Sequence, residues 1–393
     1  MDIKKADTTY IMQTYRRNNV VFVRGKGQYL WDSTGKKYLD FFAGISVCNA
    51  GHCNPSVVAA AQKQLSTLMH TSNLYYTEPP VNVARELIAR SFPGKVFFSN
   101  SGAEANECAI KLARKWGEPL GKYEIITFKN SFHGRTIATL SATGQKKFHE
   151  HFKPLLAGFK HAEFNSISSV LKSITQKTAA ILIEPIQGEG GITVADGAFL
   201  KELRKICDKK KILLMFDEVQ TGMGRTGTLF AWQSFGVRPD VFTLAKSVAG
   251  GLPFGATVVA RAYADTFVYG DHGSTFGGNL VSCAAALAML KFLTPDMLKQ
   301  ARATGAYLFK QLGELKKRYS CIKEVRGRGL MVGIELDFAG RDVVQFCQDN
   351  GLIINCTQDR VLRFLPPLVI SINDVHTLID TLEGALIWEQ SKK

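Results

Sequence analysis

Nowhere in the 393 residues does an apolar run reach the roughly 20 residues that a membrane-spanning helix needs, so no membrane partner is expected. The first fifteen residues, MDIKKADTTYIMQTY, carry an acid at position 2 and lack the apolar stretch of a secretory leader. A signal peptide is therefore not expected, and the protein is read as soluble and cytoplasmic. No pair among Cys48, Cys53, Cys108, Cys207, Cys283, Cys321, Cys347 and Cys356 has the C-x-x-C spacing of a zinc or redox site. Several lie in apolar surroundings, where cysteine behaves as a small core residue. A disulfide framework does not suit a large chain without an export signal. His149 and His151 come nearest to a metal-ligand pair. They sit among Lys146, Lys147 and Lys153 with no third ligand nearby, so they read as a solvated surface segment and no metal is expected. Repeats, low-complexity tracts and Pro/Gly/Ser-rich linkers are missing too.

Acidic residues are the scarce charge: 34 against 49 Lys+Arg leaves a net +15. A nucleic-acid binder usually gathers such a surplus into one stripe. Here the basic residues are scattered, with short runs only at Lys209–Lys211 and Lys316–Arg318, which read as helix faces or ends. No nucleic-acid partner is expected, and the surplus suits small anions such as phosphate and dicarboxylates.

What is present is alternation. Residues 1–50 break into short apolar runs, Val20–Val23 and Gln28–Trp31 among them, and read as a small β-containing region. Asn54-Pro55 then has the cap and first-turn residues of a helix. From there to about residue 260, strand-like runs alternate with helical periodicity. The strands are expected at Val96–Phe98, Ile125–Phe128, Ala179–Ile183, Ile212–Phe216 and Val241–Leu244. Amphipathic stretches such as Glu104–Trp116 and Phe199–Lys209 lie between them, the pattern of a mainly parallel α/β sheet. After residue 279 the pattern changes to long helices with strands near Leu330–Glu335 and Val361–Phe364, an α+β unit.

Four segments fall where α/β enzymes bind ligands, at the C-terminal ends of strands. In Asn100–Glu107, NSGAEANE, Ser101 and Glu104 have capping-box spacing and Gly102 permits close backbone approach, so the segment is either a phosphate seat or an ordinary helix cap. In FKNSFHGRT, Phe132 could stack on a planar ring while Arg135 grips a carboxylate with both nitrogens, although a lone Phe is more often core. Asp217 ends a wholly apolar run in LLMFDEVQTGMGRTG and needs a cationic partner, a buried Arg or a protonated heterocycle. The glycines after it form neither Gly-x-Gly-x-x-Gly nor a P-loop. Lys246 follows another buried strand in DVFTLAKSVAGGLPFGA, where lost hydration would free its amine for Schiff-base chemistry. The alternative is a structural lysine reaching solvent. An aldehyde cofactor with a ring nitrogen needs both, the lysine as imine partner and the aspartate as counter-ion.

These segments resemble the class III (ω-amino acid) aminotransferases, pyridoxal-phosphate enzymes of fold type I. The resemblance runs from YLWDSTGKKYLDFFAGISVCNAGHCNP near the start to VLRFLPPL near the end. It implies an α/β fold: a mainly parallel seven-stranded sheet in a large domain, residues 51–278, beside a smaller α+β domain, residues 279–393, which residues 1–50 join. It implies pyridoxal 5′-phosphate as cofactor, with Gly102 and Ala103 at the phosphate, Phe132 and Val219 on the two ring faces and Asp217 at the ring nitrogen. Gln220 would lie near the phenolic oxygen and Lys246 would form the imine. Thr275 would reach the phosphate of the neighbouring subunit, with Ser274 near the substrate, which implies a homodimer with shared sites. Glu189 and Arg363 are expected as a pair, Glu189 masking Arg363 for one amino donor and swinging away for the other; a permanent scaffold ion pair is the alternative. Arg135 would take the distal carboxylate. The reaction implied is transfer of the terminal amino group of N2-acetyl-L-ornithine to 2-oxoglutarate. The chain departs from the pattern at Asn54, where relatives often have a second His, and at Arg17-Asn18-Asn19, so no substrate contact is carried over to Tyr15.

Overall fold

The computed structural model describes residues 2–392. Its central sheet has the strand order Gly94–Ser99, Gly255–Ala260, Val241–Leu244, Leu213–Asp217, Thr178–Ile183, Glu124–Phe128, Phe159–Ala162. Gly255–Ala260 pairs antiparallel with both its neighbours, and the other pairs are parallel. All the parallel strands therefore deliver their C-terminal ends to one edge. Helices cover the faces, so the inner strands bury every side chain: Thr178–Ile183, Leu213–Asp217 and Val241–Leu244 are buried at each position. The five expected strands of this region are present within a residue or two of the expected ends. Two more were not expected. Phe159–Ala162 is only four residues long and carries Lys160 and His161, and Gly255–Ala260 begins in the small residues that follow the glycine-rich stretch after Lys246.

Asn54 caps the helix Pro55–Leu65, its Oδ1 accepting from Ser56 and Val57 N–H. The basic runs end helices as expected: Gly197–Lys210 closes on Lys211 in the left-handed region, and Lys316–Arg318 fill the last turn of Pro295–Arg318. His149 is the exception to the surface reading, because its Nε2 faces the Leu140 and Thr143 carbonyls and its ring is half-buried. It thus meets a last-turn carbonyl of the helix Ile137–Ala142 and that of the Thr143 after it. No three His, Cys, Asp or Glu side chains among the described residues converge in a way that could hold a metal ion. Among the described residues no single helix is long and apolar enough to cross a membrane.

The strands Phe22–Lys26, Tyr29–Asp32 and Lys37–Asp40 form an antiparallel sheet whose last strand pairs in parallel with Leu352–Ile353. The N-terminal segment is thus stitched to the C-terminal one. There, Ile322–Arg328, Met331–Leu336, Val361–Phe364 and Asn355–Thr357 make a second antiparallel sheet. A short hairpin, Ile186–Gln187 with Thr193–Val194, carries Glu189 at its tip against this sheet: Thr357 Oγ1 and Gln358 Nε2 both donate to the Glu189 carbonyl.

Candidate active site

Six strands of the sheet end at its C-terminal edge, and the segments after five of them carry groups the sequence reading singled out. A cavity of about 460 Å³ lies above them. Gly102, Ala103, Phe132, Arg135, Glu189, Asp217, Val219, Gln220 and Lys246 all line it. Thr275, Ser274 and Arg363 do not.

Asp217 closes its strand with 4% of its surface exposed. Its carboxylate is clamped from below. Oδ2 accepts from Asn106 Nδ2 at 2.7 Å and faces His133 Nδ1 at 2.8 Å, while Oδ1 accepts from Val219 N–H at 3.0 Å. Asn106 is itself held by Thr243 Oγ1 and by the His133 carbonyl. The buried His133 Nε2 has no partner. Neither Asn106 nor His133 had been given a role from sequence. Asn106 had a legible signal, a polar residue on the apolar face of Gly102–Gly117 between buried Ala105 and Cys108.

That helix begins as its sequence requires. Ser101 Oγ accepts from Glu104 N–H, and the Glu104 carboxylate reaches back to Asn100 N–H. The N–H groups of Gly102 and Ala103 stay uncommitted and open on the cavity. A Cβ on Gly102 would stand 2.7 Å from Val219 Cγ1, so only glycine lets the helix start pack against the Val219 side chain.

Lys246 follows Val241–Leu244 and has φ 52°, a left-handed conformation that a lysine adopts only where its surroundings hold it there. No hydrogen bond or ion pair occupies its amine among the described residues. Burial pulls its pKa below the ordinary lysine value and the Arg363 charge adds to this, against the opposing carboxylates of Glu189, Asp217 and Glu184. Glu184, just past Thr178–Ile183, escaped the sequence reading. It accepts from Phe132 N–H at 3.0 Å and Gly188 N–H at 3.4 Å. Burial, with the negative charge of Asp217 beside it, pushes its pKa well above the ordinary glutamate range.

Arg363 sits near the end of Val361–Phe364 with 1% exposed. It donates from Nε to Asn355 Oδ1 at 2.9 Å and from Nη1 to Glu189 Oε1 at 2.6 Å, with Gln220 Oε1 at 3.4 Å. Burial would raise the pKa of Glu189, but the Arg363 charge and hydrogen bond, helped by Lys246, outweigh it and hold the carboxyl below the ordinary value. The pair therefore exists, and Glu189, unlike Arg363, retains access to the cavity. Arg135 is exposed and makes no ion pair; its guanidinium lies 4.0 Å from the Phe148 ring centroid. Ser274 meets the cavity through Asn100, whose Nδ2 donates to Ser274 Oγ at 3.2 Å, and Thr275 lies beside it, exposed, in a separate hollow.

A family model described as Aminotransferase class-III matches residues 10–386, and the chain belongs to that family. It is 52% identical over 379 residues to an acetylornithine aminotransferase of Methanocaldococcus jannaschii, covering 95% of each chain. It is 48% identical over 382 residues to that of Caldanaerobacter subterraneus subsp. tengcongensis, covering 96% of this chain and 97% of the relative. Among solved structures, it matches the N-acetylornithine aminotransferase of Stenotrophomonas maltophilia at 36% identity and TM-score 0.86, covering 99% of this chain and 100% of that one. The ornithine aminotransferase of Toxoplasma gondii matches at 34% identity and TM-score 0.95, covering 100% and 96%.

Proposed function

We infer that the protein is an enzyme that moves the terminal amino group of N2-acetyl-L-ornithine onto 2-oxoglutarate. The products are N-acetyl-L-glutamate 5-semialdehyde and L-glutamate, the chemistry of arginine biosynthesis. The observation that carries this reading is one cavity lined by an uncommitted lysine amine, a clamped aspartate and a glutamate paired with a buried arginine, in a chain about half identical to acetylornithine aminotransferases.

Pyridoxal 5′-phosphate suits the residues present. Two free helix-start amides would hold its phosphate, the Gly102–Val219 contact leaves room for a ring against Phe132, and the buried Asp217 lacks only the cation that a protonated ring nitrogen provides. When bound, this group supplies an aldehyde for amines and a sink for carbanion electrons. The chain's own residues do the rest. Asp217, fixed by Asn106, His133 and Val219 N–H, holds the proton on the ring nitrogen. Gln220, which lines the cavity, would bond near the phenolic oxygen. Lys246 Nζ, its charged form disfavoured by burial, takes the proton from the substrate carbon that bears the nitrogen and gives it back across the same face.

The two amino donors differ in what stands beside the reacting amine. Acetylornithine has no carboxylate there and glutamate has one. With Glu189 on Arg363 the uncharged donor is accommodated; with Glu189 withdrawn, Arg363 receives the glutamate α-carboxylate. Arg135, free of any ion pair, takes the distal carboxylate in both cases. Thr275, in a separate hollow, would serve the phosphate of a second subunit, with Ser274 near the substrate. The fully exposed rings of Tyr76 and Tyr269, together with exposed Leu74 and Phe276, fit the covered face of such a homodimer.

A second reading, an ornithine aminotransferase, is favoured by the higher TM-score with the Toxoplasma enzyme. Half-reaction spectra with acetylornithine, ornithine, succinylornithine and 4-aminobutyrate separate the two. Acetylornithine is expected to react fastest, and fastest reaction with ornithine would replace the first reading by the second.

A further inference from the structure

Arg135 and Arg363 are both assigned a substrate carboxylate, yet the fold treats them in opposite ways. Arg363 is buried, and its Nη1 donates to Glu189. Arg135 is exposed, and among the described residues nothing accepts a hydrogen bond from its guanidinium. What meets it is aromatic. The guanidinium carbon lies 4.0 Å from the Phe148 ring centroid and 5.7 Å from that of Phe132. Both lie within the roughly 6 Å over which a ring face attracts a cation. The two rings stand edge to face, their centroids 5.7 Å apart and their planes at 78°. Phe148 does not line the cavity, so it meets the reaction only through Arg135 and Phe132.

Both partners of this contact hang from one piece of chain. Arg135 precedes the helix Ile137–Ala142, and Phe148 follows it in the single 3-10 turn Lys146–Phe148. His149 N–H closes that turn on the Lys146 carbonyl at 2.9 Å. The His149 ring, facing the Leu140 and Thr143 carbonyls at 3.0 and 2.7 Å, draws the turn back against the helix. At the other end, the buried Gln145 donates from Nε2 to the carbonyls of Asn130 and Ser131, just before Phe132. The turn that bears Phe148 is therefore anchored on both sides to the segment that bears Arg135. Lys147 Nζ stands 5.2 Å from the same ring centroid, so a second cation shares the ring.

A long exposed arginine loses rotamer freedom when a ligand fixes it, and that loss lowers affinity. An acid partner would fix it beforehand, but would occupy the N–H edge that a carboxylate has to reach. A ring attracts the cation as a whole and offers no lone pair, so the N–H donors stay available. We propose that Phe148 is a positioning residue for substrate, a platform that holds Arg135 in place with its N–H edge open to the distal carboxylate. The proposal rests on the role of Arg135 given above, and the contrast between the two arginines follows from it. The carboxylate beside the reacting carbon is present in one amino donor only, so Arg363 carries a removable acid. The distal carboxylate is present in both donors, so Arg135 carries a partner that never has to leave.

The test titrates glutarate, a dicarboxylate without an amine, into the cofactor-loaded enzyme by isothermal titration calorimetry. Phe148→Leu keeps an apolar side chain and removes the ring, and is expected to weaken glutarate about fivefold, roughly 1 kcal/mol. Phe148→Met reads the same loss if the leucine variant does not fold. Phe148→Tyr, which keeps the ring, should bind glutarate as the parent does. Arg135→Ala should weaken it by about tenfold or more. Adding Phe148→Leu to Arg135→Ala should cost nothing further, because the ring then has no guanidinium to hold. A further loss in that background would assign the effect to Lys147 or to general packing and overturn the proposal. So would equal losses in Phe148→Tyr and Phe148→Leu. Weaker binding in Arg135→Ala with parent-like binding in Phe148→Leu overturns the proposal alone. Parent-like binding in Arg135→Ala removes the carboxylate assignment of Arg135 and the proposal with it. Glutarate carries no amino group, so each outcome is independent of which amino donor the enzyme prefers.

Discussion

Lys246 and its three carboxylate neighbours show how burial sorts like residues into different roles. The same enclosure lowers the pKa of Lys246 and raises that of Glu184, while Arg363 holds that of Glu189 down. Lys246→Ala should keep the fold by circular dichroism and lose turnover by several orders of magnitude, because imine formation and proton transfer use the same nitrogen. Glu189→Ala should unmask Arg363, raising the glutamate half-reaction relative to that of acetylornithine by about tenfold, or about 1.4 kcal/mol of differential transition-state binding. Stopped-flow measurement of both half-reactions decides it, and an unchanged ratio makes the pair a scaffold. Glu184 gives a pH test. Its folded pKa lies above the unfolded one, so the unfolded chain ionises first as pH rises and stability falls from the ordinary glutamate range upward. Glu184→Gln keeps the neutral shape without that loss. Its melting temperature should match the parent in acid and exceed it increasingly as pH rises.

The helix Gly102–Gly117 illustrates what an element contributes beyond its residues. Ser101 and Glu104 fix where it starts, the strand Gly94–Ser99 fixes where it points, and its first two amides are left as the proposed anion seat. Gly102→Ala separates the element's stability from its function. Alanine is the better helix former, by about 1 kcal/mol in a helix interior, yet its Cβ would press on Val219 Cγ1 from 2.7 Å. The variant should therefore melt no lower than the parent as apoprotein and bind pyridoxal phosphate about tenfold more weakly, roughly 1.4 kcal/mol, by spectroscopic titration. The hairpin around Glu189 is the second such element. Its tip is set by Gly188, which faces Gln220 so closely that a Cβ there would stand 2.1 Å from Gln220 Oε1.

At the scale of the whole molecule, Arg225 joins the parts. It is fully buried, and burial pushes its pKa down to about 9 despite Asp40 nearby. Its guanidinium donates to Ser46 Oγ, to Asn49 Oδ1 and to the carbonyls of Leu330 and Pro366. One side chain thus ties the glycine-rich stretch after Asp217 to the N-terminal turn and to both C-terminal segments. Arg225→Met fills the space but strands buried acceptors, so it should lower stability by on the order of 3 kcal/mol in denaturant titration, with activity affected through Val47. The main sheet was legible because its inner strands are unbroken apolar runs. Phe159–Ala162 and Gly255–Ala260 were not, being respectively short with charged positions and made of small residues.

The residues that end strands declared themselves in the sequence. A carboxylate at Asp217 and an amine at Lys246, each closing an apolar run, have no cheap structural use, so local pattern alone marked them. The capping residues of Gly102–Gly117 and the basic helix ends were equally local facts. Tertiary structure alone decided which distant groups face them. Asn106 and His133 under Asp217, Glu184 beneath Phe132, Arg225 against Ser46 and His52 on Asp40 are contacts across crossovers or strained turns. Periodicity reports which face of an element is apolar; it carries no information about which polar group on another element completes a buried one, because that depends on the packing of the whole chain.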